Sequence, residues 1–400
     1  MKYIVILCDG MADEPIESLG GRTPLEAART PGVDRLAGKS EVGMVRTVPE
    51  GMAPGSDTAN LSVIGYDPRK YYSGRSPLEA LSIGAEMAAD DVSFRCNLVT
   101  LSEEEEKYED RHILDHSSGE ISTAEAAELM EALKSGLERE GYTFYTGISY
   151  RHLLIQNKGK VIELTAPHDI LTRRIGEYLP QDPVLREMME KSYELLKDHP
   201  INVKRREQGK NPANSAWFWG AGTRPALVSF EEKNGVKGAM ISAVDLLKGI
   251  AVGAGMDNIT VAGANGGLDT NYAGKGEAAV KALTQDGYDF VYVHIEAPDE
   301  MGHQGSAENK ILAIERIDKE IICPVTQAFD KAGTAYRMLI LPDHPTPVRV
   351  RTHTGDPVPY LLYDSTGSVD GPGMYSEKTA ARTGVYVDKG YTLLSRLLMK

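Results

Sequence analysis

The feature that most constrains the fold is an unbroken apolar segment at residues 3–8. It ends directly at Asp9 and Gly10. A segment that is apolar at every position predicts a strand covered on both faces, as parallel strands are. An acidic residue at the carboxyl end of a first parallel strand lies where open α/β sheets bind ligands. Asp-Gly is also an ordinary turn dipeptide, so at this point Asp9 is either a turn residue or a site residue.

The rest of the chain alternates strands and helices at both ends and changes character in the middle. Later strands are predicted at residues 227–230, 239–241, 258–262, 289–295 and 338–341, and helices at 244–252, 276–285 and 308–331, the last with a kink at Pro324. The middle segment has a half-exposed strand at 92–99, two amphipathic helices and a polar linker at 204–212. We therefore predict an α/β core of residues 1–89 and 216–400, with helices on both faces of its sheet. A smaller α+β domain, residues 90–215, is inserted into it.

Composition excludes several classes of partner. The net charge of −14 over 400 residues argues against nucleic acid and against an anionic membrane surface, because both require a basic face. No segment reaches the roughly 18 apolar residues of a membrane span. Three cysteines without close spacing are typical of a reducing compartment, and we expect a cytoplasmic protein. An acidic protein that handles a phosphorylated ligand needs metal ions or a few arginines to supply positive charge.

The segment that begins at Pro54 and Gly55 brings a serine to the start of a predicted helix. Ser56 is followed by Asp57, Thr58 and an apolar segment. A serine there can cap the helix, and the unpaired N–H groups of a first helical turn also form a phosphate site. This segment alone leaves both interpretations open: Ser56 is an N-cap or a nucleophile directed at phosphorus.

Carboxylates and imidazoles follow the strands that are predicted near the end of the chain. Beyond Asp9 there are five such residues: Asp299, His303, Asp343, His344 and His353. Each alone is explained equally well as a turn or loop residue, but crowded together in an acidic protein they would repel one another without cations among them. Mixed Asp and His ligands suit manganese, zinc or magnesium, and with Ser56 the set is large enough for two ions. Two ions about 3.5–4 Å apart serve phosphoryl transfer and would activate the Ser56 hydroxyl.

Taken together these residues resemble the archaeal-type cofactor-independent phosphoglycerate mutases of the alkaline phosphatase superfamily. The resemblance spans nearly the whole chain, and the segments that carry it are 8–11, 54–62, 65–68, 71–75, 299–303 and 343–344. It implies an alkaline-phosphatase-like core. It also implies interconversion of 3-phosphoglycerate and 2-phosphoglycerate, a step of glycolysis, through a phosphoserine at Ser56 and without 2,3-bisphosphoglycerate.

The same resemblance implies a ligand set for two divalent ions, with manganese expected and magnesium, zinc or cobalt as alternatives. One site is formed by Asp9, Ser56, Asp343 and His344, and the other by Asp299, His303 and His353. The inserted domain is expected to close over a small phosphorylated substrate and to supply cationic groups. For that role we select Arg151 in the insertion and Arg75 in the core, although either alone is as well explained by a surface salt bridge.

Two features depart from the mutase pattern. Pro345 follows the Asp-His pair where the mutases have a small polar residue, and segments 167–170 and 214–222 are similar to a branch that phosphorylates homoserine. A homoserine kinase-like phosphotransferase is therefore the first alternative, and a phosphomonoesterase the second. A sulfatase is disfavoured, because Ser56 lacks the following Pro and Arg that sulfatases need. A binding protein without activity is disfavoured because all the matched positions are filled. The sequence leaves the oligomeric state open.

Overall fold

The computed structural model describes residues 1–367 and 369–399. The strands are β1 (Lys2–Cys8), β2 (Ser40–Val45), β3 (Val92–Leu101), β4 (Ile113–Asp115), β5 (Tyr142–Ile148), β6 (Arg151–Gln156), β7 (Ser215–Thr223), β8 (Gly238–Ile241), β9 (Asp257–Asn258), β10 (Phe290–Ile295), β11 (Tyr336–Leu341), β12 (Val358–Asp364) and β13 (Tyr386–Val387).

The α-helices are α1 (Pro24–Ala27), α2 (Pro31–Ala37), α3 (Ser56–Val63), α4 (Pro68–Tyr71), α5 (Arg75–Ser82), α6 (Thr123–Leu137), α7 (Pro183–Leu196), α8 (Pro200–Glu207), α9 (Phe230–Asn234), α10 (Asp245–Gly253), α11 (Tyr272–Thr284), α12 (Ala297–His303), α13 (Ala307–Ile317), α14 (Cys323–Ala332), α15 (Glu377–Arg382) and α16 (Leu393–Leu398). Short 3-10 helices lie at Glu17–Leu19, Tyr108–Asp110, Pro167–Ile170, Ile175–Tyr178 and Gly390–Thr392.

The chain forms two units, which are Met1–Tyr72 with Leu227–Lys400, and Ser73–Ala226. The first unit is built on a mixed sheet with the strand order β13-β2-β12-β11-β1-β10-β8-β9. In its centre β11, β1 and β10 are parallel, so their carboxyl ends meet at one edge. Alternate residues of β1 point to opposite faces, and Ile4, Val5, Ile6 and Leu7 are all fully buried. Both faces of the sheet are therefore covered, and the predicted α/β class is confirmed.

The second unit is an antiparallel sheet covered by helices. β3 lies between β6 and β7, and α6 and α7 pack beside them. The half-exposed strand that the sequence predicts at residues 92–99 is wrong, because β3 is buried at every position. Its polar side chains are buried with partners. The hydroxyl oxygens of Ser93 and Ser76 are hydrogen-bonded at 2.9 Å, and Asn97 Oδ1 accepts from Trp219 Nε1 at 3.0 Å.

The second unit begins before and ends after the insert of residues 90–215 that the sequence predicts. α5 packs on β3 and β7, and β7 itself continues to Thr223, so both belong to this unit. Ser73 Oγ donates to the Thr223 carbonyl at 2.6 Å. The first and last segments of the unit are thus hydrogen-bonded to each other.

Two local predictions are wrong. The apolar segment at 227–230 forms no strand, and Phe230 instead begins α9. Short apolar segments of this length do not distinguish a strand from a buried turn of helix. The polar segment at 204–212 is not a plain linker, since α8 extends to Glu207 and Arg205 is buried, with its guanidinium 2.9 Å from Glu125 Oε2.

The predicted helix at 308–331 is interrupted just before Pro324. Between α13 and α14 lies a π-helical turn, Asp318–Ile322, and Pro324 falls in the first turn of α14, where its missing N–H costs little. The turn aims Asp318 at the start of α2, where its carboxylate accepts from the N–H groups of Gly32 at 3.1 Å and Val33 at 2.7 Å. The π-helical turn therefore fixes one helix against another.

Glu377 makes the stability of the first unit depend on pH. Its carboxylate accepts from Thr23 Oγ1 at 2.7 Å and from the Asp13 N–H at 3.1 Å, and burial raises its pKa to about 7. A raised carboxyl pKa means that the folded state holds its proton longer than the unfolded state. The free energy of unfolding should therefore fall as pH rises from about 4.5 to about 7, by about 3 kcal/mol from this group.

We expect the Glu377→Gln variant to lose that slope, because an amide can donate to Thr23 and accept from Asp13 without titrating. Denaturant unfolding of both proteins between pH 5 and 8 measures it. Groups other than Glu377 contribute equally to the two proteins, so the difference between the curves isolates this carboxyl. Parallel curves would contradict the prediction.

Candidate active site

The predicted ligand residues meet at the carboxyl edge of the central strands of the first unit. Asp9 directly follows β1, α12 carries Asp299 and His303 after β10, and Asp343 and His344 follow β11. Two groups of side chains have ligand atoms within 4.8 Å of one another. They are Asp9 with Asp343 and His344, and Asp299 with His344 and His353.

Ser56 lies beside these groups and does not cap its helix. The N-cap of α3 is Gly55, and Ser56 is the first helical residue. Ser56 Oγ is 3.2 Å from His344 Nε2. Of the two interpretations that the sequence left open, the N-cap is therefore wrong, and the hydroxyl faces the carboxylate and imidazole groups.

The group around Asp9 is a strongly charged, buried cluster. Both carboxylate oxygens of Asp343 have hydrogen-bond donors. They accept from the N–H groups of Gly10 and His344 at 3.1 and 2.9 Å and from Asn60 Nδ2 at 2.9 Å. Asp9 Oδ1 is buried and has no hydrogen-bond partner among the described residues. Burial, and then the charges of Asp343 and Asp299, raise the pKa of Asp9 well above its usual range. A divalent cation would satisfy that oxygen and remove the repulsion, so these residues fit a metal ion.

His303 lies beside the group of Asp299, His344 and His353 without belonging to it, and its ring nitrogen approaches Asp299 and His353. His303 Nε2 is 3.1 Å from both Asp299 Oδ2 and His353 Nε2, and His353 Nε2 is 3.5 Å from Asp299 Oδ1. His303 Nδ1 donates to the Arg351 carbonyl at 3.0 Å, which leaves the Nε2 lone pair directed at the group when the ring is neutral. The hydrogen bond to Asp299 raises the pKa of His303 to about 9, so a cation bound here would displace a proton.

His344 contributes to both groups, whereas the sequence assigns it to one. Thr346 Oγ1 donates its proton to Asp299 Oδ1 and lies 3.3 Å from His344 Nδ1. The threonine oxygen is then the acceptor for an Nδ1–H of His344. This arrangement leaves the Nε2 lone pair of His344 facing Ser56.

Sequence reasoning missed three residues of this site. Asn60 lies four positions after Ser56 on α3, and it donates to the Ser56 carbonyl at 2.8 Å as well as to Asp343. Thr346 follows Pro345, and its hydroxyl contacts both Asp299 and His344. His294 lies in β10 and is 2.8 Å from Asp9. The sequence does indicate that His294 is unusual, because it is the one histidine within the otherwise apolar part of the predicted strand at 289–295.

The two predicted cationic residues both lie in the second unit, so the assignment of Arg75 to the core needs correction. Arg75 begins α5, and its Nε donates to Glu79 at 3.1 Å. Arg151 begins β6 and lies over the ring of Tyr150, 5.5 Å from its centroid. The structure adds Arg95, which sequence reasoning missed although it interrupts an apolar strand.

Arg95 forms the centre of a cationic cluster in this unit. Its Nε is 3.0 Å from Glu79, and its guanidinium lies 4.2 Å from the ring centroid of Trp219. Burial, and then the nearby charges of Arg75 and Arg151, lower the pKa of Arg95 despite the attraction of Glu79. Glu79 pairs with both Arg75 and Arg95. Three guanidinium groups gathered in one place suit an anionic ligand.

A buried ion pair holds the segments that follow Asp9 and His344. Lys310 Nζ donates to Asp13 Oδ2 at 2.7 Å, to the Thr346 carbonyl at 2.9 Å and to the Ala12 carbonyl at 3.2 Å. The side chains of Lys310 and Asp13 are 0% and 1% exposed. All three ammonium protons are therefore used, and α13 is tied to both ligand-bearing segments.

Replacement of this lysine should be costly. We expect Lys310→Met to lower the free energy of unfolding by about 3–5 kcal/mol, because Asp13 would remain buried without its counter-charge. The exposed pair Lys281–Asp286 provides a matched control, and Lys281→Met should change stability by less than about 1 kcal/mol. Denaturant unfolding of the wild type and the two variants measures both effects. Equal stabilities for the two variants would contradict a stabilising role for the buried pair of Lys310 and Asp13.

The fold and this site define the protein as an α/β protein with a serine beside two carboxylate–imidazole groups that fit divalent cations. A family model described as 2,3-bisphosphoglycerate-independent phosphoglycerate mutase matches residues 37–202. The chain is 49% identical over 406 residues to a probable 2,3-bisphosphoglycerate-independent phosphoglycerate mutase of Geobacter sulfurreducens, with 100% of both chains covered. It is 48% identical over 404 residues to the 2,3-bisphosphoglycerate-independent phosphoglycerate mutase of Methanosarcina acetivorans, again with 100% of both covered.

Solved structures agree with these relatives. A protein from Pyrococcus horikoshii is 32% identical with a TM-score of 0.84, over 100% of this chain and 96% of the other. The cofactor-independent phosphoglycerate mutase from Thermoplasma acidophilum is 29% identical with a TM-score of 0.68, over 100% and 99%. The chain therefore belongs to the 2,3-bisphosphoglycerate-independent phosphoglycerate mutase family, and the resemblance predicted from its sequence is confirmed.

Within the part of the chain that the structure describes, no helix combines the length and the apolar character that crossing a bilayer requires.

Proposed function

We propose that the protein is an isomerase that interconverts 3-phosphoglycerate and 2-phosphoglycerate through a phosphoserine at Ser56, without 2,3-bisphosphoglycerate. The observation that carries the proposal is the position of Ser56 Oγ, 3.2 Å from His344 Nε2 and beside both candidate ligand groups. Relatives with this name match over the full chain, and they do not favour the homoserine kinase alternative. A glycolytic step of this kind is expected of a cytoplasmic enzyme.

Two divalent ions complete the proposed site. One would be held by Asp9, Ser56, Asp343 and His344, and the other by Asp299, His303 and His353. Manganese is the expected metal, with magnesium, zinc and cobalt as alternatives. The chemistry that such ions supply is a lowered pKa for a bound hydroxyl and compensation of the charge that develops on the phosphoryl group.

The side chains of the first unit orient the nucleophile. Asn60 fixes the first turn of α3 through the Ser56 carbonyl, and the same amide holds Asp343. Ser56 is the first residue of that helix, and the N–H groups at a helix start are suited to phosphate oxygens, although the Thr58 N–H already donates to Asp57 Oδ1 at 2.8 Å. The side chains thus present the serine oxygen and a set of phosphate donors together.

The cationic cluster of the second unit is proposed to bind the substrate anions. Arg75 and Arg151 are the predicted residues, and Arg95 joins them with its guanidinium held against Trp219. Planar guanidinium groups bind carboxylate and phosphate oxygens in pairs, which fits a phosphorylated hydroxy acid. The intermediate must be protected from water, because otherwise the same chemistry would give a phosphatase.

Loss of the nucleophile should abolish turnover. We expect Ser56→Ala to reduce conversion of 3-phosphoglycerate by at least about a thousandfold, because no other group would carry the phosphoryl. A coupled assay for 2-phosphoglycerate on manganese-loaded protein, with no 2,3-bisphosphoglycerate, measures this. Treatment of the wild type with a chelator should also remove activity, and added manganese should restore it.

Ser62→Ala is the matched control. This serine lies on the same helix, is buried and has a hydroxyl without a partner among the described residues, so its loss should leave activity near the wild-type value. Full activity of the Ser56→Ala variant would rule out a phosphoserine at Ser56. A wild type that leaves 3-phosphoglycerate unchanged but phosphorylates homoserine from ATP would refute the mutase proposal itself.

Loss of a binding arginine should act on substrate affinity. We expect Arg151→Ala to lower kcat/KM by about 10–100-fold, mainly through KM, since a charge-assisted hydrogen bond contributes about 1.5–3 kcal/mol. Arg139→Ala is the control, because this arginine forms an exposed pair with Glu187 in the same unit. Steady-state kinetics compare the two variants. An unchanged KM in Arg151→Ala would remove this residue from the binding set.

A further inference from the structure

We infer that His294 is a positioning residue, which holds one oxygen of Asp9 so that the other is presented to a metal ion. The inference rests on the proposed metal-dependent function and extends it to a residue outside the ligand set. His294 is fully buried in β10. Its Nε2 is 2.8 Å from Asp9 Oδ2, and its Nδ1 is 3.1 Å from Ser242 Oγ.

The hydrogen bonds around His294 specify one tautomer. A carboxylate that binds a cation is ionised and only accepts, so Nε2 of His294 must carry the proton that faces Asp9. A neutral imidazole has no second N–H, and Nδ1 must then accept from Ser242. The serine can donate, because its oxygen accepts from the Val244 N–H at 3.0 Å and its own hydroxyl proton remains available.

The main chain at His294 is held from a second side. Lys275 is fully buried, and its Nζ donates to the His294 carbonyl at 2.9 Å. The ring is thus fixed through Ser242 and the backbone through α11. Neither Ser242 nor Lys275 is a predicted metal ligand. Both therefore position His294 without taking part in the ligand groups.

Asp9 depends on this histidine more than Asp343 depends on any one neighbour. Both oxygens of Asp343 have hydrogen-bond donors, whereas His294 is the one donor to Asp9 among the described residues. Without it, rotation of the carboxyl group would present either oxygen, and the buried Oδ1 would lose its defined direction. Partners of this kind behind a ligand commonly change metal affinity by about 10–100-fold.

Two substitutions at the same position separate the hydrogen bond from the volume of the ring. His294→Phe fills the space without a donor, and we expect it to weaken one of the two manganese sites by at least about tenfold. His294→Gln carries an amide N–H close to the position of Nε2, and we expect it to retain affinity within about threefold of the wild type. Equilibrium dialysis with Mn²⁺ alone, with the free ion followed by its paramagnetic resonance signal, gives both values.

His152→Phe is the matched control, because it removes a buried histidine from the other unit and should leave both manganese sites unchanged. Unchanged manganese binding in His294→Phe would overturn the inference while leaving the proposed function intact. Equal losses of manganese affinity in His294→Phe and His294→Gln would also overturn it, since the hydrogen bond from this position would then have no effect on binding. A wild type that binds no manganese would overturn the metal-dependent function and the inference together.

Ser242→Ala keeps the inference testable even if His294→Phe fails to fold. Nitrogen-15 spectra of the wild type loaded with diamagnetic Mg²⁺, in which Asp9 is ionised, should show His294 protonated at Nε2 alone. In Ser242→Ala we expect a mixture of tautomers and a manganese affinity lowered by about fivefold at one site, the effect of one lost hydrogen bond. The same single tautomer and the same affinity in both proteins would refute the relay from Ser242 to Asp9.

Discussion

Mutual repulsion of buried carboxylates is the constraint on which the site depends. Asp9, Asp299 and Asp343 are each buried at the same edge of the central sheet, and burial, followed by the charges of Asp343 and Asp299, raises the pKa of Asp9. A folded protein holds such a group together only if cations or hydrogen-bond donors compensate it. The arrangement is therefore costly without compensation, and its carboxylates and imidazoles fit metal ions.

The fold meets this constraint by fixing several of the segments that bear candidate ligands. Asn60 joins α3 to Asp343, Thr346 joins Asp299 to His344, and Lys310 ties both neighbouring segments to α13. These contacts connect residues far apart in the chain, so the geometry of the site is a property of the whole unit. A change in one of them should therefore affect several of the candidate ligands, and His344 belongs to both groups.

Most of the core, and the sheet edge where the candidate ligand residues meet, could be predicted from the sequence, because both depend on local patterns. The apolar segment before Asp9 predicted β1, and the strand ends predicted where Asp299 and Asp343 meet. The buried polar residues could not be predicted, since an Arg95 or a His294 in an apolar strand reveals its partner only in three dimensions. The strand at 227–230 failed for a related reason, as length and periodicity did not distinguish it from the start of α9.

The hydrogen bond between Ser73 and Thr223 has a consequence for how this chain is organised. A domain inserted into another normally forces its host to close a long loop, and the entropy of that closure grows with loop length. Here the second unit brings its own ends together, so once it has folded the host chain has only a short gap to bridge. The unit can then be exchanged or enlarged in evolution without a new demand on the strands that lead to the candidate site.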